Sequence, residues 1–384
     1  MTDAGGDGPL AGVLVADFSR VLAGPYATML LADLGATVVK VEPPRGDDTR
    51  GWAPPVRPDP ERGDTSTYFL SVNRGKRSIV LDLTDEADLV LAHELARRAD
   101  VVVENFRTGG MERFGLGYEQ VAATNPGVVY ASITGFGSHG GAGLPGYDLV
   151  VQAVSGLMST TGDPDGPGYR CGVAVFDVVA GLHANLGIMA ALHHRTRTAR
   201  GQHVEVNLLS SALSGMVNQT GAHVAAGVVP HRMGNAHPSL FPYEPVDTAD
   251  GQLVLAVGND GQFAALCGVL GLPELVADPR FTRNADRTVH RDALRPLLLG
   301  RLAARTSSQW SAELTAAGVP CGAVGTVADG VALAVELGLD PVVEVGGVPT
   351  VRHPVTYSAT PAVHQLPPPA LDEHGAELRA WLMG

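Results

Sequence analysis

Three consecutive stretches decide the fold. They are Val13-Leu14-Val15-Ala16-Asp17-Phe18, then Ala23-Gly24-Pro25 opening an apolar run that stops at Gly35, then Ala36-Thr37-Val38-Val39-Lys40-Val41-Glu42. The first is apolar without polar alternation, as in a strand buried on both faces. Pro25 suits a helix start, where its missing N–H is not needed, and Gly35 suits a helix end. The third stretch is again strand-like. Strand, helix and strand in this order form a βαβ unit, which implies a parallel sheet covered by helices.

The same alternation continues outward. A helix is predicted over Glu86–Arg98, a strand at Val101-Val102-Val103, another over 128–133, and an apolar helix over 149–158 with Asp148 as its cap. A long helix over 178–195 places Val178, Leu182, Leu186, Met189 and Leu192 at helical spacing, and Gly201-Gln202-His203-Val204-Glu205-Val206 alternates as a strand does. At 384 residues the chain exceeds one hydrophobic core. Residues 1–220 with 320–384 are expected to form a large domain, 221–250 (rich in Gly, His and Pro) a linker, and 251–319 a small domain. A closing helix is expected over 377–382.

Composition narrows the partners. The formal charge of −13 argues against a nucleic-acid backbone or an anionic membrane as partner. Three scattered cysteines, Cys171, Cys267 and Cys321, fit a reducing compartment and no metal spacing. The opening MTDAGGDGPLAG lacks signal-peptide character, and no run of 18 apolar residues occurs, so a cytoplasmic protein is expected. Lysine occurs only as Lys40 and Lys76, with Arg everywhere else. This is a mutational skew in which Lys40 reads as a chance survivor and Lys76 has no assigned role.

Gly135-Phe136-Gly137-Ser138-His139-Gly140 matches G-x-G-x-x-G after a strand, but more glycines and Pro145 follow where a dinucleotide fingerprint needs a helix to open. A Gly-rich loop beside a site is the better reading. Asp177 stands where Val173-Ala174-Val175-Phe176 meets the long helix. Local sequence alone favours a helix cap there. The alternative is an ionised carboxylate in a partly dry pocket, able to attack a carbonyl. Glu104-Asn105-Phe106-Arg107, directly after a strand, suits either a plain turn or ligand contact. Tyr147 is either core or the wall of an apolar site. His193 and His194 sit near a helix end and complement its dipole. No G-x-S-x-G elbow, P-loop or Cys/His metal signature is present.

Taken together, several stretches resemble the class III CoA-transferase family, of the formyl-CoA transferase and carnitine CoA-transferase type, with the α-methylacyl-CoA racemases as relatives. They are Asp17-Phe18-Ser19-Arg20-Val21-Leu22-Ala23-Gly24-Pro25, Ala32-Asp33-Leu34-Gly35-Ala36, Val39-Lys40-Val41-Glu42-Pro43 and Asn73-Arg74-Gly75-Lys76-Arg77-Ser78. Val103-Glu104-Asn105-Phe106-Arg107, Gly146-Tyr147-Asp148, Asp177 with its helix, Gly201-Gln202-His203-Val204-Glu205, Gly234-Asn235-Ala236-His237-Pro238 and Gly318-Val319-Pro320-Cys321-Gly322 extend the likeness along the whole chain.

The resemblance implies a large Rossmann-like α/β domain, a smaller α/β domain, long linkers and an interlocked homodimer. It places the nucleophilic aspartate on Asp177. It places CoA contacts on Arg20, Val21, Leu22, Pro43, Leu81, Thr84, Asn105, Phe106, Arg107, Arg113, Gly146 and Tyr147. It implies an acyl-CoA and a carboxylic acid as partners and no further cofactor or metal, the CoA thioester being itself a substrate. Pro43 and Thr84 depart from basic residues of the formyl-CoA enzyme, so Arg45 or Arg107 must take over phosphate contacts, and formyl and oxalyl groups are not expected. Arg170 and Arg232 are candidates for the distal carboxylate of a dicarboxylate. Racemases of this family carry His where Tyr147 stands, and an ordinary phenol is a poor base at neutral pH. Racemisation is therefore the runner-up, and a non-catalytic CoA-ester-binding subunit of a heteromeric transferase is a third reading.

Overall fold

In the computed structural model, which describes residues 8–59 and 63–384, the opening stretches build the centre of a parallel sheet. Its strands are β1 (Leu14–Asp17), β2 (Thr37–Glu42), β3 (Lys76–Val80), β4 (Val101–Glu104), β5 (Val129–Thr134) and β6 (Gln202–Asn207). They lie in the order β3-β2-β1-β4-β5-β6, every neighbouring pair parallel. This is the doubly wound order, in which the chain leaves β1 to one side and later returns to its other side. Ligands of such sheets bind at that reversal, beyond the carboxyl ends of the strands.

Both faces of the sheet are buried, and the strand pleat divides their side chains. Val15, Val38, Val101, Val103 and Ala131 join one apolar cluster, whereas Ala16, Val39, Val102 and Tyr130 join the other. The first face is covered by α1 (Ala23–Asp33) and the long α2 (Val175–Thr198), which contributes Ala180, Ala184, Ile188 and Ala191. The second is covered by the helix Glu86–Arg98 and the closing helix Gly375–Met383. By length and composition alone, α2 is long and apolar enough to cross a membrane. Here its small residues lie on the sheet, while Leu182 and Leu186 are exposed.

The chain divides into two compact units. The first comprises the residues up to Leu157, Arg170–Val228 and Asp340–Gly384, and the second Met158–Tyr169 with Val229–Leu339. The boundaries differ from the sequence reading in three places, the first being Met158–Tyr169, which was expected in the large domain and belongs to the second unit. Residues 320–339 fall in the second unit, because Cys321–Ala323 pairs antiparallel with Gln252–Ala256 inside a three-stranded sheet. The expected linker 221–250 carries the end of helix Val217–Ala226 and the strand Tyr243–Asp247, so it is not a bare connector. The second unit has its own core around Phe263, Leu266, Phe281, Leu298 and Trp310. The apolar helix expected over 149–158 is split into Asp148–Val154 and Leu157–Thr160 around Gly156, whose φ is +97°.

Candidate active site

At the sheet reversal, the turns after β1 and β4 meet. Arg20 donates its backbone N–H to Asn105 Oδ1 (2.8 Å), and Asn105 Nδ2 donates to the Arg20 carbonyl (2.6 Å). The Asn105 amide, expected to face CoA, is thus occupied by the neighbouring turn. Glu104 accepts the N–H of Phe106 (2.8 Å). Its burial, only partly offset by the bonds from Ser132 and Phe106, pushes its carboxyl up to about 7.

Two cavities open around these turns. One, of about 250 Å³, is lined by Arg20, Val21, Leu22, Asn105, Phe106, Arg107, Gly146, Tyr147 and Asp177, with Asp48 and Thr134 among its other walls. The other, of about 430 Å³, is lined by Pro43, Leu81, Thr84 and Arg113, with Arg45 beside them. Arg20, Phe106 and Arg107 belong to both, so the two run together. Asp177 and every residue nominated for CoA contact therefore line one or other of these adjoining cavities, whereas Arg170 and Arg232, nominated for a distal carboxylate, line neither. The Gly-rich segment closes over the first cavity through Gly135, Gly137, Gly141 and Gly146. A Cβ built on Gly135 would lie 2.3 Å from the Gly146 backbone, so these two loop strands cross only as glycines.

Asp177 does not cap its helix. The N-cap of α2 is Ala174, and the end is held instead by Asp148, whose Oδ1 accepts the N–H of Phe176 (2.8 Å) and of Asp177 (3.3 Å). Asp148 does not cap its own helix either, since that cap is Tyr147. Its carboxylate serves a helix that starts far along the chain. Among the described residues the Asp177 carboxylate accepts no hydrogen bond and pairs with no cation. Burial first, and the nearby Asp148 charge second, push it up to about 7. Tyr68, which the sequence reading missed, lies in the same field: burial and then the Asp177 and Asp148 charges raise its hydroxyl to about 12.

The groove is cationic where the two cavities join. Asp48 reaches Arg20 (3.4 Å) and Arg45 (3.5 Å), both partly or largely exposed. Arg20 lies over the Phe106 ring at 5.4 Å, and Arg113 over Phe114 at 4.4 Å. Away from these cavities, Arg170 donates to the Cys171 carbonyl and Arg232 to the Asp163 carbonyl, each at 3.1 Å. Lys40 is no chance survivor. It is fully buried, 2.9 Å from Asp47, while Lys76 is fully buried 3.0 Å from Asp17.

Comparison with known proteins decides what the groove serves. The sequence profile of CoA-transferase family III matches residues 10–375. The chain belongs to CoA-transferase family III. It is 43% identical to the succinate–glutarate CoA-transferase of Agrobacterium fabrum, covering 97% of this chain and 96% of that one. It is likewise 43% identical to the acetyl-CoA:oxalate CoA-transferase of Acetobacter aceti, covering 98% and 97%. A CAIB/BAIF family protein from Brucella suis superimposes with a TM-score of 0.88 at 42% identity, over 98% of this chain and 99% of that one. The protein is thus a CoA-transferase of this family, acting on an acyl-CoA and a carboxylate.

Proposed function

We propose that this family III enzyme moves CoA between dicarboxylic acids and that Asp177 carries the acyl group. The observation that carries this reading is a half-buried carboxylate on the wall of the groove, without cation or hydrogen-bond donor among the described residues. A carboxylate stripped of water and partners is a stronger nucleophile than a paired one.

An Asp177 oxygen bonds to the thioester carbonyl carbon of the donor, and the C–S bond breaks, releasing CoA thiolate and leaving an acyl-aspartyl anhydride. The thiolate then attacks the aspartyl carbonyl, which frees the donor acid and forms an aspartyl-CoA thioester. The acceptor carboxylate attacks that thioester, giving a second anhydride and the thiolate again. Attack of the thiolate on the acceptor's carbonyl releases the new acyl-CoA and restores Asp177. One thioester is broken and one made, so the cycle calls for no further cofactor. Arg20, Arg45, Arg107 and Arg113 supply the positive charge for the CoA phosphates.

The relatives named for succinate, glutarate and oxalate support dicarboxylates. Oxalate, which Pro43 and Thr84 had seemed to disfavour, belongs in the substrate panel, because the relative named for it is as similar as the other. A homodimer is part of the proposal. Leu186 (69% exposed), Val217 (72%) and Val224 (78%) present apolar surface that a second copy would cover. Mass-spectrometric screening of CoA exchange from succinyl-CoA and acetyl-CoA onto a panel of acids tests the substrate class. Transfer to dicarboxylates is expected, and transfer confined to monocarboxylates overturns it. Full turnover in Asp177→Ala removes Asp177 from the mechanism.

A further inference from the structure

The turn between β1 and α1 has the backbone N–H groups of residues 18–21 and the carbonyls of Ser19 and Arg20 held. Phe18 donates its N–H to the Val103 carbonyl (2.9 Å). Ser19 donates its N–H to Asp17 Oδ1 (3.0 Å), and its carbonyl accepts Lys40 Nζ (3.0 Å). Asn105 holds both backbone groups of Arg20. Val21 shares its N–H between the two oxygens of Asp47, at 3.4 and 3.3 Å. Lys76 reinforces the far side by binding Asp17 (3.0 Å) and the Pro25 carbonyl (2.9 Å).

Val21 is the odd residue in this set. Its φ is +70°, in the left-handed region, where a β-branched side chain is disfavoured. The conformation is therefore imposed by the surroundings, and the groups imposing it at Val21 are Asp47 and, behind it, Lys40. Asp47 is 1% exposed and Lys40 0%. Asp47 is itself fixed from several sides, accepting from Thr49 N (3.0 Å) and Thr49 Oγ1 (2.7 Å) and donating its own N–H to Glu42 Oε2 (3.0 Å). Val21 and Asp177 line the same cavity. A buried ion pair adds little stability over apolar residues of the same volume. What this pair adds is a directed acceptor for one N–H on the wall of the groove.

We propose that Lys40 and Asp47 are positioning residues for the transferase: together they hold Val21 in its left-handed conformation and so set the wall against which the thioester is aligned with Asp177. This rests on reading the groove as the acyl-CoA site. Neither residue touches the reacting atoms.

The test pairs loss with rescue. Lys40→Met/Asp47→Leu replaces the ion pair by apolar groups and strands no charge. In that variant, assayed well below its melting midpoint, kcat/KM for the acyl-CoA donor should fall about tenfold, the worth of one charge-assisted hydrogen bond. The rise should lie mainly in KM for the donor and little in KM for the acceptor acid. Adding Val21→Gly should restore most of the loss, because glycine adopts this conformation without steric penalty. If the double variant does not fold, Lys40→Met/Asp47→Asn, which also strands no charge and weakens the acceptor from carboxylate to amide, gives a milder form of the same comparison with and without Val21→Gly. An unchanged kcat/KM in the folded variant, or a Val21→Gly combination no more active than its parent, overturns the proposal. Failure of the groove reading shows separately, as full turnover in Asp177→Ala.

Discussion

Two kinds of desolvated carboxylate stand near the groove and behave in opposite ways. For Asp17 and Asp47, burial favours the neutral acid, but lysine outweighs it: Lys76 and Lys40 beside Asp17, and Lys40 with the Thr49 bonds beside Asp47. Both carboxyls are held below their ordinary range. Asp177 is half-buried with no cation to offset its desolvation among the described residues, and the charge of Asp148 adds to it, so it is pushed up to about 7. The difference separates structure from chemistry. A compensated carboxylate anchors backbone, whereas an uncompensated one keeps lone pairs available for a substrate.

The comparison can be broken at either end. Asp177→Ala should lower kcat by about 10⁴-fold while leaving CoA affinity within about threefold, measured by exchange kinetics and calorimetry. Lys40→Ala acts on the other group. It leaves Asp47 buried without its cation and should cost about 3–5 kcal/mol in chemical denaturation. Asp177→Asn should do the reverse and stabilise the fold. The folded-state carboxyl titrates near 7 and its ordinary value is 3.8, so the fold binds the extra proton between those values. Ionising Asp177 costs stability in full above pH 7, and the cost fades as pH falls towards 4. The asparagine variant should thus be more stable by about 1–2 kcal/mol at pH 8, with the gain shrinking on acidification. The smallest effect concerns Asp48, an exposed carboxylate that belongs to neither group. Because it engages Arg20 and Arg45, Asp48→Asn should tighten CoA binding about two- to threefold at low salt and less at high salt.

Much of this architecture is written locally. The opening strand, helix and strand appear within a residue or two of where the sequence puts them, and the helix Glu86–Arg98 matches at both ends. Buried parallel strands and helices announce themselves through continuous apolar runs and periodic faces. The groove residues were legible because they follow strand ends and match a known family. What was hidden depends on contacts between distant residues. Asp148 caps a helix beginning 27 residues later, so Asp177 resembled a cap it is not. Lys40 looked like any surface basic residue, since neither its burial nor its pairing with Asp47 shows in a strand pattern. Tyr68 sits on a short helix remote in sequence from Asp177 and carried no signal at all. Asn105 signalled a turn or a ligand contact, and it clamps a turn 85 residues away.

Trapping the covalent enzyme tests the central claim most directly. Hydroxylamine added during turnover attacks an activated aspartyl carbonyl, displacing CoA thiolate or the acid and leaving a hydroxamate on the side chain. Peptide mass spectrometry should find that hydroxamate on Asp177 and only when an acyl-CoA donor is present. An unmodified Asp177 in enzyme that is turning over, or a hydroxamate on another carboxylate, would contradict the account.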